Sequence, residues 1–232
     1  MTAAAPWIEG YLWSDGTATQ PVLAQRIKMV EGATTSDHYL TEPLRVTAAL
    51  DEWATAWSLT LASTYSWSWN RSTNRITITA DAGPATITTY NAIDPVLGWA
   101  YGGGSSTGSS FTSTTSPAGL CPLVGVQVDA IEDAGELKLL EFRSGRSTAA
   151  YYSNKDLVRV QLLVEASNAA AMRGYCSTGR VRVHVDGSAA AHSSAASGGY
   201  IDGYVVACRL AESLGATEQL QRFELDIARA LP

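Results

Sequence analysis

Charge is what this 232-residue chain has least of. Charged residues make up 16% of it, against roughly 25% in ordinary soluble domains. No run of five or more like charges occurs, which excludes an acidic or basic tail. The formal net charge of −6 argues against nucleic-acid binding by phosphate neutralisation, because that mode needs a basic patch. Cysteine is equally scarce. Cys121, Cys176 and Cys208 are an odd set without C-x-x-C spacing, so neither a disulfide framework nor a zinc site is expected. Cys208, inside "YVVACRL", reads as a buried strand residue packing as a small hydrophobe. No stretch approaches the roughly 18 apolar residues of a membrane span. The opening "MTAAAPWIEGYLW" lacks the basic and apolar regions of a signal peptide. A protein made in the cytoplasm without a membrane partner is the expectation.

What replaces charge is serine, threonine, alanine and glycine, a polar but weakly charged surface suited to assemblies in which many copies sit side by side. Hydrophobic residues reach 46%, enough for one large or two modest cores. The seven tryptophans, Trp7, Trp13, Trp53, Trp57, Trp67, Trp69 and Trp99, all lie in the first 99 residues. Residues 1–116 hold five Lys/Arg and nine Asp/Glu, and residues 117–232 hold eleven and thirteen. Between the halves runs "GGGSSTGSSFTSTTSPAG", a composition that cannot build a core. The division read from this is a Trp-rich α+β module over 1–101, a Gly/Ser/Thr-rich linker or loop over 102–117, and a β-rich domain over 118–232. A single domain with one long loop is the alternative.

Periodicity supplies the elements. In "TEPLRVTAALDEWATAWSLTLA", Val46, Leu50, Trp53 and Trp57 fall on one stripe of a helix, with Thr41 as its cap and Pro43 in its first turn. "TYSWSWNRSTNRITITA" reads as a hairpin: alternation on both sides of a polar turn. "ATITTY" adds a strand. In the second half, "LVGVQVDA", "GELKLLEFRSG", "DLVRVQLLVEA", "GRVRVHVDG" and "GYVVACRLAES" all show period two, and the tail "LQRFELDIARAL" leans the same way. The predicted fold is therefore mainly β with a minor α component, an N-terminal helix plus β-hairpin module followed by an antiparallel β-sandwich or barrel-like domain.

Tyr65, Trp67 and Trp69 point to one face of their strand. Three uses are open to that row: packing against the Trp53 and Trp57 stripe with Trp99 nearby, contact with another subunit, or stacking on sugar rings. Packing leads, because the helix stripe itself needs a partner surface and each aromatic covers roughly 150–250 Å².

Motifs for chemistry fail on context. "GSSTG" matches G-x-S-x-G around Ser106 but lacks the strand-turn-helix of a nucleophile elbow. His184 and Asp186 share a strand face and His192 follows, yet a solvated edge and loop account for them. The acidic "DAIEDAGE" (Asp129, Glu132, Asp133, Glu136) lacks calcium-loop spacing and reads as a turn between strands. No catalytic, cofactor-binding or metal-binding residue is assigned, and no enzymatic activity is expected.

The order of helix, "YSWSWNRSTNRITITA" and a terminal "LGW" resembles a recurring segment of tailed-bacteriophage virion proteins, over roughly residues 44–101. The matching positions are Tyr65, Trp67, Asn70, Thr73, Asn74, Arg75, Ile76, Ile78, Leu97, Gly98 and Trp99, while "TITTYNAIDPV" departs from the pattern. The resemblance implies a structural part of a phage particle: a minor tail, baseplate, adaptor or head-surface component. It would be made in the host cytoplasm, reside in the virion, and partner copies of itself and other virion proteins. A carbohydrate- or receptor-binding module with a glycan partner is the alternative.

Overall fold

The computed structural model describes residues 5–12, 26–40, 42–89, 94–99, 105–134, 138–141, 147–150, 155–178, 180–185, 199–214 and 219–229. The chain is mainly β and its strands pair antiparallel. It divides into two compact units, one of residues 7–122 with 168–174, the other of 1–6, 123–167 and 175–232.

In the first unit β1 (Trp7–Leu12) pairs with β10 (Leu120–Pro122) and with β4 (Leu44–Arg45). A four-stranded sheet runs β3 (Thr34–Tyr39), β2 (Arg26–Glu31), β7 (Ala85–Thr88), β8 (Ser105–Gly108). A three-stranded one runs β5 (Tyr65–Asn70), β6 (Arg75–Ala80), β9 (Ser110–Thr112). Helix α1 (Val46–Thr60) buries Val46, Ala49, Leu50, Trp53, Ala54 and Trp57, the face that its 3.6-residue periodicity dictates. With Ile27, Met29, Ile76, Ile78, Ile87, Trp99 and Phe111 they form one continuous apolar core. The short α2 (Asp94–Leu97) ends at Gly98, whose φ of +77° and close approach to the Thr115 carbonyl leave no room for a Cβ.

Several expectations are corrected here. The supposed linker contains β8 and β9: Ser106 pairs with Ile87 and Phe111 with Ile78. Neighbouring strands override a weak local preference, since strand propensity is chiefly a matter of packing context. Pro43 stands before the helix instead of within it, and Thr41 lies outside the described residues. The first helical residue is Val46, and its N-cap Arg45 makes no side-chain cap. Glu9 of β1 performs that task, as set out below. Strands β1, β2 and β3 went unpredicted. The β2–β3 turn is carried by Gly32 at φ +54°, the left-handed conformation that glycine adopts at no steric cost.

In the second unit, β15 (Arg180–His184), β16 (Tyr200–Leu214), β17 (Leu220–Arg229), β14 (Lys155–Glu165) and β11 (Gly125–Ala134) form consecutive antiparallel neighbours. A separate ribbon joins β12 (Lys138–Glu141) to β13 (Ser147–Ala150). Val158, Val160, Leu162 and Val164 are buried opposite Ile227, Leu225 and Phe223, so period two does mark the inward face. Three readings change. Asp129 to Ala134 belong to β11 and not to an acidic turn; from Ala130 they pair with β14. His184 is buried, with its ring tilted against Tyr200, instead of lying on a solvated edge. Asp186 and His192 fall outside the described residues. Cys208 is half-buried and disulfide-bonded, whereas Cys121 is a buried free thiol. An odd cysteine count excludes complete pairing but permits one bridge. Helix α3 (Ala169–Thr178), preceded by a 3₁₀ turn at Ala166–Asn168, was not foreseen.

Candidate functional site

The aromatic row on β5 is divided by its surroundings. Tyr65 is buried with its ring edge-on to Trp57, centroids 5.6 Å apart. Its phenol donates to Glu31 Oε1 at 2.6 Å. The same carboxylate accepts the backbone amides of Ala62 and Ser63 through Oε2, at 2.9 and 3.1 Å. Burial and the Glu31 hydrogen bond and charge push the Tyr65 phenol far above its usual range. Burial pulls Glu31 upward as well, but the hydrogen bonds from Ser63, Tyr65 and Ala62 outweigh it and hold the carboxyl below its ordinary value. Charged acceptors that collect several donors behave this way. Glu31 thus ties off the chain where it leaves α1.

Trp69 stands partly buried beside Trp7, the two rings edge-on at 5.4 Å. The Arg71 guanidinium lies over both rings, 5.4 Å from Trp7 and 5.3 Å from Trp69, and burial lowers its pKa. Trp69 Nε1 donates to Asn74 Oδ1 at 3.0 Å, and Asn74 Nδ2 donates to Asn168 Oδ1 at 3.0 Å. Trp53, Trp57 and Trp99 are fully enclosed in the core, with Trp53 Nε1 donating to the His38 carbonyl. Trp13 lies outside the described residues.

Trp67, half-buried, borders open space. It lines a cleft of about 580 Å³ between α1 and β5. From the helix come Asp51, Ala54, Thr55, Ser58 and Leu59, and from the strand Tyr65, Ser66 and Trp67. Trp67 Nε1 donates to Asp51 Oδ1 at 2.8 Å, which pins the indole against the helix. Leu59, on the rim, is 83% exposed. Asp51 and Leu59 were not singled out in the sequence. Their signal was available, because Asp51, Thr55 and Leu59 lie at i, i+4 and i+8 on the helix face next to the tryptophan stripe.

A second carboxylate has a purely architectural position. Glu9 is fully buried on β1. It accepts from Arg45 Nη1 (3.2 Å), the Thr47 amide (3.2 Å) and Thr47 Oγ1 (2.7 Å). It therefore supplies the cap and the negative charge that the first turn of α1 lacks.

Among the described residues no three His, Cys, Asp or Glu side chains gather as metal ligands, and no helix is long and apolar enough to cross a membrane. The chain matches no family model, no curated protein and no solved structure.

Proposed function

We propose that the protein is a non-enzymatic structural component of a tailed-phage virion, assembling in several copies through protein–protein contacts. The observation that carries this reading is the unit over 44–99. Helix α1, the β5–β6 hairpin with its Arg71–Asn74 turn, and Leu97-Gly98-Trp99 pack as one body around shared tryptophans. This is the element order on which the resemblance to phage virion segments rests. Its rings are spent on its own architecture, apart from Trp67 in the cleft, and its most exposed large apolar side chain, Leu59, stands on the rim of that cleft. The test is to image the source particle by electron microscopy and to measure the mass of the purified chain by light scattering. Density for this chain at symmetry-related positions supports the proposal. A monomer absent from every particle overturns it.

A further inference from the structure

We propose that the cleft between α1 and β5 is a receptor for a basic side chain, arginine or lysine, carried by a neighbouring polypeptide. Accounting for its hydrogen bonds leads there. The Trp67 N–H is spent on Asp51 Oδ1. The Thr55 hydroxyl donates to the Asp51 carbonyl and the Ser58 hydroxyl to the Ala54 carbonyl. The Tyr65 phenol donates to Glu31. With those donors consumed, and the Ser66 hydroxyl the one outside that set among the described lining residues, the cleft presents the exposed Asp51 carboxylate, held by Trp67, and the indole itself. Among the described residues no lysine or arginine lines it. A ligand that only donates, carries positive charge and has an apolar stem fits such a surface. The guanidinium or ammonium takes the carboxylate and ring, and the methylenes lie along Ala54 and Leu59.

Three rings among the described residues share an arginine of the chain with a carboxylate. Arg26 lies 4.9 Å from the Tyr39 ring and bonds Asp37 at 2.8 Å. Arg182 lies 3.8 Å from the Tyr200 ring and bonds Asp202 at 2.6 Å. Arg180 repeats the arrangement with Tyr204 and the same Asp202. Asp51 and Trp67 also set a carboxylate beside a ring, and among the described residues that line the cleft there is no arginine. A neutral sugar fits less well, because sugar hydroxyls also need donors and these are already used.

The inference names the chemistry of one contact in the assembly proposed above, and it rests on that reading only for the neighbour's identity. The test therefore uses the purified full chain. N-acetyl-arginine-N-methylamide is titrated against the ¹⁵N-labelled protein while the Trp67 indole N–H is followed, assigned by its loss in Trp67→Phe. Saturable movement of that resonance is expected, weakened by added salt. The citrulline counterpart, isosteric but uncharged, should leave it still. Asp51→Asn keeps the oxygen that accepts from Trp67 and removes the charge, and should weaken the arginine probe about tenfold. Absence of saturable movement overturns the proposal. So does equal binding of the citrulline probe, unchanged affinity in Asp51→Asn with the spectrum otherwise intact, or preferential movement with maltose, which would make the cleft a glycan site. None of these results depends on whether the chain is found in a particle, so the two readings fail separately.

Discussion

At the residue scale, position relative to the core decides what each tryptophan does. Trp57 is sealed between α1 and Tyr65. Replacing it by alanine should cost roughly 3–5 kcal/mol, read from the shift of a urea unfolding curve. Trp67 lies half out of the core, so Trp67→Phe should cost less than Trp57→Ala and leave folding intact. Cys121 offers an independent check on burial. Exclusion from water pushes its thiol up to about 12, and the thiolate is the reactive species. The native protein at pH 8 should leave Cys121 unmodified by a colorimetric thiol reagent, with reaction appearing only after denaturation. Sequence alone located Trp57 correctly on the buried stripe. It misjudged His184, because two-residue alternation assigns a side chain to a sheet face without saying what covers that face.

Elements begin and end where distant side chains let them. Helix α1 has an apolar stripe legible from Val46, Leu50, Trp53 and Trp57, yet its start is set by Glu9, 36 residues upstream of Arg45. Glu9→Ala should destabilise the protein by about 2–3 kcal/mol, since a lost cap costs about 1 and charge-assisted hydrogen bonds about 1.5–3. A urea titration measures it. In the β5–β6 turn, Asn74 holds φ at +48° and bridges Trp69 to Asn168. Asn74→Gly keeps the left-handed backbone and loses only the bridge, whereas Asn74→Ala loses both. The alanine variant should therefore unfold at lower urea, by about a further 1 kcal/mol. The hairpin was legible because Ile76 and Ile78 alternate with threonines on one side of a polar turn. Strands β8 and β9 were not, because they are only four and three residues long and the serines and glycines around Thr107, Phe111 and Thr112 carry little strand preference of their own. Their partners β7 and β6 impose the extension, helped by Thr86–Thr107 and Thr77–Thr112 hydroxyl pairs across the strands. Helix α3 was hidden for the opposite reason: "NAAAMRGYC" has helix-forming alanines but no apolar stripe long enough to register.

For the whole molecule, Glu31 links pH to stability. Its carboxyl is held below the ordinary carboxylate value in the folded state. The stability this contributes is fully present above that ordinary value, roughly pH 4.3, and is lost as pH falls through the lower folded value. Unfolding midpoints should drop on acidification from about pH 5 to pH 3, and Glu31→Gln should reduce the steepness of that drop. A slope unchanged by the substitution would remove Glu31 from the account.

Composition and periodicity by themselves determined that the chain is mainly β, that α1 buries its tryptophan stripe, and that β5 and β6 form a hairpin. Those outcomes follow from where side chains must point along a regular backbone, which is local information. Only the tertiary structure decided that Glu9 starts α1, that Arg71 covers Trp7 and Trp69, and that Trp67 faces a cleft with Asp51 fixed beside it. These depend on which segments meet in space, and residues tens of positions apart carry no mark in the sequence that they will be neighbours.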